Sequence, residues 1–285
     1  MCHACVIDSI KRRGLTRRDL FRGAAATAAA AAAGLTTAAA PAALAQGATT
    51  VEDLTHTVSD AFPTYFGEPG MSVERAMTFA ENGFNLNQVS HNEHVGTHVD
   101  APIHFSADGR TAEEIPVGDL VAPLCVVDIR EKAAADPDAQ VTPEDLKAWI
   151  AANGEIPAGA CVAMNSGWDE KASGDGYRNA DADGVMHFPG FHVDAAQMLL
   201  EETGAIGIAV DTLSLDHGPS ADFAAHYAWL PTNRWGIECM ANLSRLPATG
   251  ATLVVGLPKI RDATGGPARL MALIFGRPTT SVAPV

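Results

Sequence analysis

The chain has 285 residues, of which 47% are hydrophobic and 19% are charged, so it contains enough apolar residues to bury a sizeable core. This composition excludes a largely disordered chain. The formal net charge of −15 argues against nucleic acid or anionic lipid as a partner, because both are polyanions.

The first 45 residues form a candidate export signal. Residues 16–21 read TRRDLF, and a weakly apolar, alanine-rich run follows over residues 23–40. Paired arginines ahead of such a run are typical of a twin-arginine signal. We therefore predict a signal peptide over residues 1–45, cleaved after Ala45, and delivery of the folded protein to the periplasm by the twin-arginine export machinery. A leader that is retained as a membrane anchor is the alternative.

Residues 46–285 are more acidic than the whole chain and hold three cysteines. The leader has six basic and two acidic residues, so its removal changes the net charge from −15 to −19. Cys125, Cys161 and Cys239 are too few for a disulfide framework and lie in apolar segments. We expect them to be buried free thiols.

Histidine is concentrated between residues 94 and 104. The segment contains His94, His98, Asp100 and His104. Imidazole and carboxylate together are the ligand set of zinc, manganese and iron sites. We expect His94, His98 and Asp100 to supply three ligands and to leave positions open for water.

The spacing of these side chains constrains the backbone. Gly96 and Pro102 both disfavour a helix. In a straight strand, at about 3.3 Å per residue, His94 and His98 would lie roughly 13 Å apart, too far to share one ion. The chain is therefore predicted to bend near Gly96, where a residue without Cβ is permissive, and to turn again after Pro102 so that His104 points back toward the same ion.

The rest of the chain has an α/β pattern with few helices, consistent with one domain over residues 46–285. A helix is predicted from Pro143, with Thr142 as its N-cap, to Gly154, and another over residues 194–202, ending before Gly204. No glycine-rich phosphate loop follows a strand. Short apolar or β-branched runs predict strands at 124–129, 160–165, 205–211, 251–257 and 270–275.

The histidine segment resembles a known family. Residues 94–105, HVGTHVDAPIHF, are similar to the His-x-Gly-Thr-His-x-Asp-x-Pro-x-His signature of the cyclase family, which includes bacterial kynurenine formamidases and isatin hydrolases. Residues 53–56, 207–212 and 266–269 also resemble segments of that family. The resemblance therefore covers nearly all of residues 50–276.

The resemblance implies a swivelling β/β/α domain, with a mixed sheet and few helices, that holds one or two divalent ions, Zn²⁺ or Mn²⁺. It places His94, His98 and Asp100 as ligands and His104 as the catalytic acid/base. It also implies a distal histidine and glutamate twelve residues apart, a spacing that His226 and Glu238 have. His226 is then a ligand of a second ion and Glu238 a bridging carboxylate. Family members often continue with Asn-Leu after this glutamate, whereas Cys239 and Met240 follow it here.

An aromatic residue is a candidate for contact with substrate. Residues 62–65, FPTY, match a segment where formamidases place a tryptophan against the aromatic substrate, which makes Tyr65 the corresponding residue. A core or interface aromatic is the alternative. The five histidines that match no metal position are expected to have ordinary hydrogen-bonding roles: His56, His91, His187, His192 and His217.

The function predicted from these features is hydrolysis of an aryl formamide or cyclic amide by metal-activated water, in the manner of a kynurenine formamidase. His104, titrating near neutrality, would move the proton. The alternatives are an isatin hydrolase-like lactamase, a metal-dependent cyclase or lyase, and a periplasmic binding protein without turnover. The expected partners are a small-molecule substrate and further copies of the chain, in a homodimer or higher homo-oligomer.

Overall fold

The computed structural model describes residues 50–275. The predicted signal peptide and its cleavage after Ala45 lie outside the described residues. Within residues 50–275, no helix is both long enough and apolar enough to cross a membrane.

The described chain forms thirteen strands and five α-helices. The strands are β1 (Thr50–Asp53), β2 (Met71–Met77), β3 (Leu86–His91), β4 (His98–Asp100), β5 (Val121–Asp128), β6 (Gln140–Val141), β7 (Cys161–Asn165), β8 (Gly190–Phe191), β9 (Gly207–Val210), β10 (Trp235–Glu238), β11 (Ala251–Gly256), β12 (Gly265–Pro267) and β13 (Arg269–Ile274). The helices are α1 (Phe79–Asn82), α2 (Arg130–Ala135), α3 (Pro143–Asn153), α4 (Val193–Glu202) and α5 (Ala224–Trp229).

Nine strands form one mixed sheet, in the order β1-β13-β11-β5-β7-β9-β10-β4-β12. The central strands β5, β7, β9 and β10 are parallel, and every other pairing in this sheet is antiparallel. The predicted strands correspond to β5, β7, β9, β11 and β13. The mixed sheet with few helices that the sequence predicts is confirmed.

The central strands are buried on both faces. Alternate residues of β5, such as Val126 and Val127, belong to two different hydrophobic cores. The core on the Val127 side also contains Leu146 of α3 and Leu199 of α4, so the helices cover that face of the sheet. This double burial explains why the strands read as continuous apolar runs and not as alternating patterns.

Both helices expected from the sequence are present. Thr142 accepts a hydrogen bond from the backbone of Asp145, whose side chain accepts one from the backbone of Thr142 in return. Gly154, at φ +92°, ends α3. Three local signals mark the ends of this helix: proline at the first helical position, the reciprocal cap and the terminal glycine. Because these signals are local, the sequence predicted both ends of the helix correctly.

A buried carboxyl group lies directly after β9. Asp211 is fully buried and accepts hydrogen bonds from Ser166 N at 2.9 Å and from Ser166 Oγ at 2.5 Å. Trp168 N donates a third at 3.2 Å. Burial nevertheless raises the pKa of Asp211 to about 7.

We predict that Asp211 makes the protein less stable as the pH rises. Its folded pKa lies above its unfolded value of about 4, so its contribution is complete below about pH 4 and is lost as the pH rises through about 7. Asp211→Asn should flatten this decline, which amounts to about 1.4 kcal/mol per pH unit in that range. The measurement is urea unfolding at several pH values. Asp60→Asn, at an exposed aspartate, is the control, and an unchanged pH profile in Asp211→Asn would contradict the prediction.

Candidate metal centre

The candidate site is built around the short strand β4. In the sheet, β4 lies between β10 and β12. The β4–β10 register places His98 opposite Glu238, and His98 Nε2 lies 3.3 Å from the Glu238 carboxylate. Sheet pairing thus brings together residues that are far apart in the chain.

The turn before β4 positions two of the predicted ligands. Gly96 has φ +63°, and a Cβ there would lie 2.1 Å from a methyl group of Val58, so both the turn and the packing require glycine. Gly96 O lies 2.8 Å from His98 Nδ1, which orients the other ring nitrogen, Nε2, toward the site. Thr97 Oγ1 donates to Cys239 O at 2.6 Å and thereby ties the turn to the end of β10.

The segment after β4 brings His104 back, as the sequence predicts. Pro102 begins a 3₁₀ turn over Pro102–Phe105. The ring of His104 stacks on that of His94, with centroids 3.8 Å apart. Burial lowers the pKa of His104 to about 4, below the near-neutral value expected from the sequence. At neutral pH this ring is therefore uncharged.

Asp100 is the common neighbour of three histidines. Its Oδ1 lies 2.7 Å from His94 Nδ1 and 3.3 Å from His98 Nε2, and its Oδ2 lies 3.7 Å from His226 Nε2. Full burial would by itself raise the pKa of Asp100, but the three neighbouring imidazole rings outweigh it and hold the pKa well below its usual range. The carboxylate is therefore ionised and available as a ligand.

The donor atoms fit a divalent cation. His98 Nε2 and Asp100 Oδ2 are buried and have no hydrogen-bond partner among the described residues. Buried polar atoms without a partner are costly unless something else satisfies them. Two sets of side chains bring potential ligand atoms within 4.8 Å of one another, and Asp100 belongs to both: His94, Asp100 and His104, and His98, Asp100 and Glu238.

His226 lies at the edge of this cluster. Its Nε2 is 3.1 Å from Glu238 Oε1, yet neither of the two ligand sets includes it. The structure thus places His226 beside Glu238, as the predicted pair requires, and its role as a ligand stays a prediction. His104, predicted as acid/base, is near enough to His94 and Asp100 to count among the potential ligands.

Asp216 holds His226 in place, a role that sequence reasoning missed. Its carboxylate accepts hydrogen bonds from the backbone of Ala225 at 2.7 Å and of His226 at 3.2 Å, at the start of α5. His226 Nδ1 lies 2.6 Å from the same carboxylate. Asp216 thus directs Nε2 into the site. No local pattern signals this contact, because Asp216 and His226 are ten residues apart in an irregular segment.

A second missed contact supports His94. Its Nε2 lies 3.0 Å from Thr264 Oγ1, and the Thr264 hydroxyl in turn donates to the Glu93 carboxylate. Thr264 N donates to Glu93 as well, at 3.0 Å. The loop before β12 therefore fixes the ring of His94 from outside the ligand cluster.

The cluster opens into an apolar cavity of about 510 Å³. Tyr65 lies on the cavity wall, as predicted for a substrate-contacting residue, and its ring meets those of Phe66 at 5.4 Å and Phe223 at 5.8 Å. Phe105 completes this aromatic wall. The cavity thus combines an aromatic wall with a floor of imidazole and carboxylate groups.

Two of the five remaining histidines contact polar groups away from the cluster. His187 Nδ1 lies 2.8 Å from Asp138, and His192 caps α4 by accepting from Asp194 N. The three predicted free thiols, Cys125, Cys161 and Cys239, are buried and unpaired in the described part of the chain. Cys239 also lines the cavity.

Comparison with known proteins agrees with this geometry. Residues 52–217 match the model of the family named Cyclase. The chain belongs to the cyclase family. The family membership inferred from the histidine motif is confirmed.

Within the cyclase family, isatin hydrolases are among the similar proteins. An isatin hydrolase from Roseibium aggregatum is 36% identical over 218 residues, which are 72% of this chain and 82% of the relative. The solved structure of isatin hydrolase A from Ralstonia solanacearum has a TM-score of 0.77 and 32% identity, and the match covers 85% of this chain and 100% of that one. A kynurenine formamidase from Salinibacter ruber is 26% identical, over 76% of this chain and 94% of the relative. This cyclase-family chain is accordingly a hydrolase of carbon–nitrogen bonds other than peptide bonds.

We predict that Asp216→Asn weakens the site without unfolding it. The substitution keeps the size of the side chain but removes the charge that fixes the orientation of His226. Loss of a hydrogen-bond partner that orients a metal-binding histidine typically lowers the metal affinity 10- to 100-fold. We expect a loss of roughly that size here. Calorimetric titration with Mn²⁺ or Zn²⁺ measures it, with Asp222→Asn, at an exposed aspartate of the same loop, as the control. Equal affinity in the two variants would exclude the positioning role.

Proposed function

We propose that the protein hydrolyses a cyclic amide fused to an aromatic ring, such as the five-membered lactam of isatin. The observation that carries this proposal is the aromatic wall of Tyr65, Phe66, Phe105 and Phe223, which lines the same cavity as the imidazole and carboxylate cluster. Aromatic side chains favour a flat ring through stacked or edge-to-face contacts. The reactive carbonyl would then lie over the polar floor.

An aryl formamide, the substrate class first expected, is the second candidate. The isatin hydrolase from Roseibium aggregatum is more similar to this chain than the kynurenine formamidase from Salinibacter ruber, at 36% against 26% identity. Tyr65 stands where formamidases are expected to have tryptophan, a difference that also favours the cyclic amide. In both reactions water adds to the carbonyl carbon, the C–N bond breaks and the leaving nitrogen takes up a proton.

We propose Zn²⁺ or Mn²⁺ as the ion, held by His94, His98 and Asp100, with Glu238 and His226 available for a second. Such an ion supplies Lewis acidity, which lowers the pKa of water and polarises a carbonyl. The chain's own residues transfer the proton and exclude bulk water. His104, uncharged at neutral pH, accepts the proton from water and returns it to the leaving nitrogen. The apolar wall keeps bulk water away from the reacting carbonyl.

The proposal predicts which compounds are hydrolysed and what chelation does. Metal-replete protein should open isatin faster than it cleaves N-formylkynurenine, simple lactams or lactones. Removal of the ion should abolish turnover and lower the melting temperature, because the ion binds the folded state. Product formation is followed by absorbance and chromatography on the same preparations. Full activity in protein shown by elemental analysis to be free of metal would refute the proposal, and preferential cleavage of N-formylkynurenine would favour the second candidate.

A pair of substitutions separates proton transfer from metal binding. His104→Ala should retain bound metal and the native fold, yet lose roughly 10²- to 10⁴-fold in turnover, the usual contribution of a positioned acid/base. His98→Ala should lose metal as well as activity, because it removes a buried ligand. Metal content, melting temperature and turnover are measured together. If His104→Ala loses its metal as completely as His98→Ala, His104 is a ligand and the assigned roles are wrong.

We further propose that the enzyme works in the periplasm as a homodimer or higher homo-oligomer, after export by the twin-arginine machinery. Arg17 and Arg18 support the export route, and a site assembled from residues as distant as His94 and Glu238 suits a route that carries folded cargo. Normal periplasmic maturation of a variant with both arginines changed to lysine would exclude this route.

A further inference from the structure

The turn that carries Tyr65, residues 64–68, lies at the surface of the protein. Gly67 N donates to Thr64 O at 3.2 Å, and Thr64 Oγ1 donates to Glu68 O at 2.6 Å, so two hydrogen bonds close the turn from within. Residues 66–69 are all exposed. A segment with so little burial opens locally at a low cost in free energy. The position of the Tyr65 ring in the cavity wall therefore depends on what holds this turn from outside.

Arg178 contacts the turn from outside at two points. Its Nη2 donates to Tyr65 O at 3.2 Å. Its guanidinium also lies directly against Gly67, because a Cβ at that position would be 2.9 Å from Nη1 and 3.2 Å from Cζ. Gly67 has φ +80°, so both the turn and the close approach of the guanidinium require glycine. Arg178 thus holds the backbone on both sides of Phe66.

The segment that carries Arg178 is anchored in the core. Arg178 follows Tyr177, which is fully buried and donates through its hydroxyl to Asp211 O at 3.0 Å. Trp168 Nε1 donates to Tyr177 O at 2.9 Å. The Tyr177 ring also meets that of Phe62, at the start of the segment that leads to the turn, with centroids 6.0 Å apart. A rigid base therefore supports the contact between Arg178 and the turn.

The charge of Arg178 is directed at a backbone carbonyl and not at a carboxylate. Other arginines of the described chain pair with acidic side chains, as Arg130, Arg245 and Arg269 do. Arg178 is half-buried, and its Nε is buried without a hydrogen-bond partner among the described residues. A hydrogen bond from a charged donor is roughly twice as strong as a neutral one. In so acidic a chain, this choice of partner indicates that the guanidinium serves to hold the turn.

We propose that Arg178 is a positioning residue for substrate binding, which fixes the Tyr65 ring in the cavity wall before the substrate arrives. The inference rests on the proposed function, in which Tyr65 contacts the aromatic ring of the substrate. Arg178 is not among the residues that line the cavity in the described chain, so it acts through the turn. A turn that is already ordered adds no ordering cost to binding. Because the Tyr65 ring contacts substrate and transition state alike, Arg178 affects KM and not kcat.

The first test compares KM and kcat for isatin in the full-length, metal-replete protein. Arg178→Met keeps a long side chain but removes its charge and its donors. We expect KM to rise about 10-fold, the effect of one hydrogen bond from a charged group, with kcat changed by less than about two-fold. Arg178→Lys keeps a charged donor without the planar fork and should recover part of the loss. An unchanged KM in Arg178→Met, or a fall in kcat alone, would overturn the proposal.

Arg234→Met is the matched control for these variants. Arg234 is also half-buried and donates a hydrogen bond to Thr232 Oγ1 at 3.2 Å. Its replacement removes a comparable contact away from the Tyr65 turn and should leave KM unchanged. Circular dichroism and the melting temperature show that each variant is folded.

A double-mutant cycle tests whether Arg178 acts through Tyr65. Tyr65→Ala should itself raise KM, because it removes the ring that contacts the substrate. In that background Arg178→Met should raise KM by less than about two-fold further, since the two changes remove the same interaction. If the two effects multiply, Arg178 influences binding by another route and the positioning role is wrong.

A third measurement needs no substrate. Hydrogen–deuterium exchange of the peptide that covers residues 64–68, in the free metal-replete protein, should become about 10-fold faster in Arg178→Met and stay unchanged in Arg234→Met. Unchanged exchange in Arg178→Met would overturn the proposal even if the protein hydrolyses isatin. If the unmodified protein does not open isatin, the proposed function fails, and the exchange rates still support or contradict the role of Arg178.

Discussion

The structure depends on a carboxylate that is ionised although it is fully buried. Desolvation of a charge costs several kcal/mol, and Asp100 is stable in that state only because His94, His98 and His226 surround it. These rings arrive from three places: a turn, a strand and a helix. The site therefore exists only when the sheet has formed. Conversely, the carboxylate of Asp100 at the end of β4 stays costly to bury until the rings, or a cation, neutralise it.

Orientation within the site comes from contacts one step further out. A histidine that binds a metal through one nitrogen needs its other nitrogen fixed, and the structure does this differently for each ring. Gly96 O serves His98, and Asp216 serves His226. For His226 the same carboxylate also caps the short helix that carries it, so the position of the backbone and the orientation of the ring are set by one group.

Charge and exposed apolar side chains are distributed unevenly along the chain. Residues 46–285 carry a net charge of −19, which favours solubility, whereas the hairpin of β2 and β3, residues 71–91, has a net charge of only −1 and exposes several large apolar side chains. This hairpin and the candidate metal centre are joined through residues 92–94, with His94 three residues after the end of β3.

The sequence by itself determined the family, the strands of the central sheet, the two longer helices and the cluster of candidate ligands. These follow from local signals: a dense motif, apolar runs buried on both faces, and capping residues at helix ends. The bend at Gly96 followed from distance alone, because His94 and His98 cannot meet along a straight chain. Only the tertiary structure decided that Glu238 lies opposite His98, that Asp216 orients His226 and that burial lowers the pKa of His104 to about 4. It also revealed the hairpin of β2 and β3, whose mixed polar and apolar residues give no clear period. Each of these features depends on strand register or on desolvation, and both arise from contacts between residues that are distant in the chain.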